Sequence, residues 1–265
     1  MSETPHARIT EDDGIITVTI DRPEKLNAIS GEVTEALWTA TRALATRGDL
    51  RCMVITAVGR YFTAGIDLAN LQHEDPALRS DADVFPGWSY RRNYRLHHLL
   101  YDEFETIEKP IVLAAQAHCL GAGVEMAASC DFRFCTPSAE WAVPEVTLGV
   151  IAGSGGSSRL TRLVGPSWGK YLAMAGMRIN AERALTIGLV QDIFPAETFM
   201  DDVYAFCRKM MTFPPEALGL AKFAVDAAAD VADRNVQRNI DRLANTVLVN
   251  SPEFQARIER FKGKQ

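Results

Sequence analysis

Residues Ile15 to Ile20 (IITVTI) bring β-branched and apolar side chains together in a short run, which predicts a strand, and DRPEKLNAIS then ends it with turn chemistry. Ser30 is placed to cap a helix running to about Arg47, because Val33, Leu37, Ala40 and Leu44 recur at helical spacing on one face. Cys52 to Ala57 (CMVITA) is apolar throughout and predicts a buried strand, followed by a glycine-containing loop, GRYFTAGIDL. The polar, acidic and proline-containing stretch from 72 to 88 predicts a loop or lid. A helix is expected over Ser89 to Ile107, and Pro110 announces the strand IVLAAQ.

A glycine turn, CLGAG, then opens a helix bearing Glu125. The strand DFRFCT follows, then a short strand before Glu145, and the glycine-rich GVIAGSGGSS ahead of a helix near Ser158 to Val164. From Ser167 onward helical periodicity dominates, interrupted by the strand-like GLVQDIF and by Pro214-Pro215. The chain therefore reads as an α/β core over residues 1–195 with a helical C-terminal region over 196–265. It contains no sequence repeat of solenoid length.

Composition narrows the function classes. At 265 residues and 47% hydrophobic the chain can bury a large core without staples. Cys52, Cys119, Cys130, Cys135 and Cys207 are odd in number, lie in apolar runs and have no ligand spacing, which predicts buried reduced thiols. No metal site is expected, since the five histidines form no HxxxH or HExxH pair. The polar start and the lack of a long apolar span predict a cytoplasmic protein with no membrane partner. A net charge of −6 argues against nucleic acid as a partner and obliges an anionic ligand to find local Lys or Arg. The arginine–aromatic run over 90–95 fits either a helix face or an RNA contact, and its acidic and apolar flanks favour the former.

Nucleotide and hydrolase motifs fail on inspection. The stretch from Gly153 to Ser158 lacks the last glycine of a GxGxxG fingerprint, no GxxxxGK[ST] is present, and no GxSxG elbow exists. The chemistry that remains belongs to Glu125 and Glu145, each set just behind a turn-forming segment. Two carboxylates from separate junctions can serve as acid and base in one proton transfer, although most of the 34 acidic residues must simply face water. Gly65 and the turn from Gly121 to Gly123 either form ordinary tight turns or free backbone N–H groups to converge on a carbonyl oxygen. Two carboxylates would also suit a glycosidase, but the glycine loops would then have no purpose.

Taken together, DRPEKLNAIS, YFTAGIDL, KPIVLAAQAHCLGAGVEMAASCDFRFC, AVPEVTLGVIAGSGGSSRLTRLVG and RINAERALTIGLVQDIFP resemble the enoyl-CoA hydratase/isomerase, or crotonase, family. They occur in family order and cover most of the chain. The resemblance implies a crotonase-like spiral of ββα units with a helical C-terminal region that packs as a homotrimer or hexamer. It implies an acyl-CoA thioester as substrate and no cofactor beyond the coenzyme A carried by that substrate. The thioester carbonyl would accept hydrogen bonds from the N–H groups of Ile66 and Ala122, the latter being alanine where many relatives have glycine.

By the same resemblance Glu125 would activate water and Glu145 would protonate Cα, hydrating a trans-2-enoyl-CoA as in fatty acid β-oxidation. An enoyl-CoA or dienoyl-CoA isomerase is the alternative. Dienoyl-CoA isomerases carry aspartate where this chain has Glu125 and Gly153, which weakens that reading. Coenzyme A binding would involve Lys25, Leu26, Ala28, Ala64, Asp67 and Leu68, with Arg22 and a C-terminal lysine such as Lys262 assisting. On sequence chemistry alone Lys25 is equally a solvated turn lysine. Phe85, Trp88, Tyr90, Tyr94 and Trp141 are candidate walls of the acyl pocket or core residues. A catalytically idle scaffold or RNA-associated member is a rival from another class, which the intact acid pair opposes.

Overall fold

The computed structural model describes residues 6–68 and 97–262. The expected lid over 72–88, the 90–95 run, the start of the helix expected from Ser89, and Phe85, Trp88, Tyr90 and Tyr94 lie outside the described residues.

Two sheets carry the fold. In the first, β1 (Ala7–Asp12), β2 (Ile15–Ile20), β3 (Cys52–Ala57), β5 (Ile111–Ala115), β7 (Phe132–Cys135) and β10 (Asp192–Ile193) neighbour one another in that order. Only β1 and β2 pair antiparallel; the remaining pairs are parallel. The second sheet holds β4 (Tyr61–Thr63), β6 (His118–Leu120), β8 (Glu140–Ala142) and β9 (Arg178–Asn180).

Each central first-sheet strand is followed by a three-residue strand of the second sheet and then by a helix: β3-β4-α2, where α2 is described over 97–106, then β5-β6-α3 (Ala122–Ser129) and β7-β8-α4 (Gly156–Ala173). This is the expected succession of ββα turns. Ahead of it, α1 (Gly31–Thr46) starts at Ser30, whose side chain accepts from the Val33 N–H as an N-cap should.

The first sheet is covered on both faces, which is why β3 reads as an unbroken apolar run. Alternate residues Met53 and Ile55, with Ile16, Val18 and Ile20, pack on Val33, Leu37, Ala40 and Leu44 of α1. On the other face Ile15, Cys52, Val54, Val112 and Phe134 meet Phe199, Val203, Cys207 and Met210 of α6 (Phe199–Met211). All five cysteines are free and buried.

Three readings need correction. Residues 61–63 and 119–120, expected in a loop and a turn, belong to β4 and β6. The C-terminal half is less uniformly helical than expected: β9 pairs antiparallel with β8 before α5 (Ala181–Thr186). The helix near Ser158 to Val164 runs on to Ala173 across a kink at Gly165, whose φ of 76° and following Pro166 break the regular pattern. Beyond α6 the chain forms α7 (Pro215–Asp230), α8 (Arg234–Val249) and α9 (Pro252–Lys262).

Candidate active site

The parallel pairing of β4 with β6 and of β6 with β8 sets the C-terminal ends of these strands side by side. Neighbouring strands lie about 4.8 Å apart, so the segments leaving them are adjacent too. Those segments are Ala64–Ile66, Gly121–Ala122 and Val143–Glu145, and they bring the sequence-predicted residues together.

Gly121 joins all three. Its φ of 55° and ψ of −124° suit glycine alone, and its N–H donates to the Ala142 carbonyl at 2.9 Å. A Cβ built there would stand 2.9 Å from Glu145 Oε1 and 3.6 Å from the Gly65 Cα. A Cβ on Gly65, at φ 102°, would lie 3.5 Å from the Ala122 nitrogen. Among the described residues, neither the Ile66 N–H nor the Ala122 N–H donates a hydrogen bond. Ile66 is turned that way by its neighbours: the Ile29 N–H donates to the Gly65 carbonyl at 2.8 Å and the Asp67 N–H to the Ile29 carbonyl at 3.1 Å. Ala122 is the first residue of α3, where an N–H has no partner within the helix.

Glu125 lies in the first turn of α3 and is 3% exposed. Its Oε1 accepts the Gly156 N–H at 3.1 Å, at the start of α4, where the helix dipole favours a carboxylate. Burial, and then the neighbouring Glu145 charge, push its carboxyl up to about 7. Glu145 follows Pro144 in the 3-10 turn Pro144–Leu148. Burial raises its carboxyl above the ordinary range, and its Oε2 has no hydrogen-bond partner among the described residues. Two carboxyls that resist ionisation thus stand beside two unused N–H donors.

The coenzyme A residues predicted from sequence divide by what their side chains do. Leu26 and Ala64 are tied by a 2.9 Å backbone bond, and Lys25 is exposed at the end of the turn Pro23–Lys25, as is Leu68. Ala28 is half-buried. Asp67 instead spends its carboxylate on Arg22, at 2.5 Å with both side chains about 10% exposed. Asn27, fully buried at φ 54°, accepts from the Arg22 N–H and donates to the Val58 and Tyr61 carbonyls. This loop is thus held by buried polar pairs. Arg22→Met, which strands the Asp67 charge, is expected to cost about 3–5 kcal/mol in urea denaturation, and Arg22→Met/Asp67→Leu to recover most of it.

Sequence reasoning missed the backbone around Gly156 and the side chain of Arg159. Gly153–Ser158 fits neither a nucleotide fingerprint nor a nucleophile elbow; a glycine pair opening a long helix is the signal for an anion cradle of another kind. Trp141 is fully buried in β8, a core residue. Among the described residues no group of three or more acidic, Cys or His side chains could hold a metal ion, and no helix is long and apolar enough to cross a membrane.

The sequence profile described as enoyl-CoA hydratase/isomerase matches residues 10–265. The chain belongs to the enoyl-CoA hydratase/isomerase family. A 2,3-dehydroadipyl-CoA hydratase of Escherichia coli K12 is 32% identical over 218 residues, covering 82% of this chain and 80% of that one. A carnitinyl-CoA dehydratase of Salmonella agona is 30% identical over 267 residues, covering 100% and 95%. The crystal structure of an enoyl-CoA hydratase from Bacillus anthracis matches with a TM-score of 0.86 at 25% identity, over 98% of this chain and 97% of that one. The fold is therefore the crotonase fold, as the ββα succession foreshadowed.

Proposed function

We propose that this family member is an enoyl-CoA hydratase, adding water across the double bond of a trans-2-enoyl-CoA in the manner of fatty acid β-oxidation. The observation that carries the reading is the convergence of the buried Glu125 carboxyl and the half-buried Glu145 carboxyl on a turn flanked by the N–H groups of Ile66 and Ala122, which donate to no other described residue. The two N–H groups form an oxyanion hole that holds the thioester oxygen as negative charge develops on it. Glu125 takes a proton from water as oxygen bonds to Cβ, and Glu145 gives a proton to Cα. One proton enters the pair and one leaves it, so the competent form is singly protonated. The hydratase and dehydratase names of the relatives support the same chemistry. Lys25, Leu26, Ala28, Ala64, Asp67 and Leu68 border the coenzyme A path in this reading, with Asp67 held in place by Arg22.

The test is loss of conjugated enoyl-thioester absorbance on a panel of short, medium and long trans-2-enoyl-CoAs, with Glu145→Ala as control. Turnover that the control lacks is the expected result; activity only on 3-enoyl or dienoyl-CoAs would replace the hydratase reading by an isomerase. The kcat/KM profile is expected to be bell-shaped. It falls at low pH as both carboxyls protonate, and its upper limb lies near pH 7, where the pair loses its last proton; the productive form between the limbs has that proton on Glu145 and Glu125 ionised.

Assembly as a homotrimer or dimer of trimers belongs to the same proposal. Helices α7 to α9 leave Phe223, Val225, Leu243, Val247 and Phe261 more than half exposed, an apolar surface that asks for cover. Light scattering is expected to give three or six copies at micromolar concentration; a monomer would remove this part. The five unpaired thiols support a reducing compartment, the cytoplasm.

A further inference from the structure

Behind Glu125 lies a charged side chain that the proposed chemistry does not use. Arg159, in the first turn of α4, keeps only 8% of its side chain exposed. Its guanidinium is gripped by two carboxylates of α2, Asp102 and Glu105, the latter at 2.9 Å. Nη1 reaches the Ser154 carbonyl at 3.4 Å, and a side chain on Gly155, at φ 103°, would collide with it. The segment 154–156 therefore lies directly on the guanidinium, and it is this segment whose Gly156 N–H holds the Glu125 carboxylate. The Arg159 Nε–H is buried and has no acceptor among the described residues.

Glu105 also binds Arg162 at 2.6 Å, and Arg162 binds Asp230, the last residue of α7, at 3.0 Å. A continuous chain of ion pairs thus runs from the C-terminal helices to the segment cradling Glu125.

We propose that Arg159 is a positioning residue for proton transfer: anchored by Asp102 and Glu105, it fixes the 154–156 backbone that orients the Glu125 carboxyl and supplies the positive charge that this carboxyl faces. The inference rests on the reading of Glu125 as a proton-transfer group. Among the described residues, the other charges bearing on Glu125 are Glu145 from the 3-10 turn and, behind Arg159, the carboxylates of α2. Tyr101 of α2 places its hydroxyl 3.4 Å from the Ala122 carbonyl, and the Cys119 thiol of β6 is kept neutral by burial. Arg159 is the sole cation in that set, and its pull on Glu125 opposes burial and the Glu145 charge.

The sign of the charge separates this role from a mere staple between α2 and α4. Removing the cation makes Glu125 hold its proton to higher pH, whereas removing one of the anions that neutralise the cation makes Glu125 release it earlier. Infrared difference titration reads the Glu125 carboxyl directly, the band being assigned by its loss in Glu125→Gln, and needs no turnover. In Arg159→Met the midpoint is expected to rise by about one pH unit, the low end of the effect of an adjacent opposite charge. In Glu105→Gln it is expected to fall, and Arg159→Lys is expected to restore most of the Arg159→Met shift. The upper limb of kcat/KM follows in each case.

Midpoints that stay fixed, or that move in the same direction in Arg159→Met and Glu105→Gln, would overturn the proposal. Should Arg159→Met not fold, Glu105→Gln decides alone, because it retains Arg159 and alters a partly exposed side chain. Opposite shifts in a protein that turns over no enoyl-CoA would defeat the hydratase reading and leave this one standing; turnover without the shifts would do the reverse.

Discussion

Glu125→Gln is expected to abolish hydration while making the protein more stable above neutral pH. The loss follows from removing the group that accepts the proton of water, and general-base contributions of this kind run to about 10²–10⁴ in rate. The gain follows from burial. In the folded protein the Glu125 carboxyl is pushed up from 4.5 to about 7, so between those values the folded state holds a proton that the unfolded chain has released. Where the folded state binds more protons, stability falls as pH rises. The wild type is therefore fully stable with respect to this group below about pH 4.5 and has lost about 3 kcal/mol once pH passes 7. Glutamine has no proton to lose, and its oxygen can still accept the Gly156 N–H. Urea denaturation should show Glu125→Gln gaining about 2–3 kcal/mol over wild type at pH 8 relative to pH 5. An equal stability difference at the two values would mean that the site does not resist the charge, and hydration within a few-fold of wild type would remove Glu125 from the chemistry.

The same physics decides what could be read from the sequence. The α1 face was legible because Val33, Leu37, Ala40 and Leu44 repeat at helical spacing over about three turns, and β3 because a strand buried on both faces is apolar throughout. β1 was not legible: five of its six residues are exposed, and it is held as an edge strand by the Asp13-Gly14 hairpin, both at positive φ. β4 and β6 have three residues each, too few to display a period, and their order comes from pairing with one another and with β8.

The site divides similarly. Glu125, Glu145, Gly65 and the Gly121 turn could be named because turn residues next to carboxylates are a local signal. The hold of Asp67 by Arg22 across 45 positions of chain, and that of Arg159 by Asp102 and Glu105 across 57 and 54, could not be named. A long-range ion pair leaves no spacing to read, so the engagement of the Asp67 carboxylate by Arg22 left no signal in the sequence.

Ala122→Pro is expected to lower turnover by about 10²–10³ while leaving the fold intact, the usual consequence of removing one oxyanion-hole donor. Proline is the one replacement that deletes a backbone N–H, and Ala122 is the first residue of α3, where proline is at home because that N–H has no helical partner. The residue before a proline must avoid the α region. Gly121, at φ 55° and ψ −124°, sits in the mirror image of the extended region, which for an achiral residue is equally compatible. No hydrogen bond among the described residues is lost, since the Ala122 N–H makes none. Unchanged circular dichroism and an unfolding midpoint near that of wild type should therefore accompany the loss of activity. Ala122→Gly keeps the donor and should stay within a few-fold of wild type, separating the loss of the N–H from any sensitivity of the turn to its side chain. A proline variant that folds and hydrates enoyl-CoA at close to the wild-type rate would show that the thioester oxygen is stabilised elsewhere, and that Gly65 and Gly121 are conserving turn geometry rather than aiming donors at a substrate.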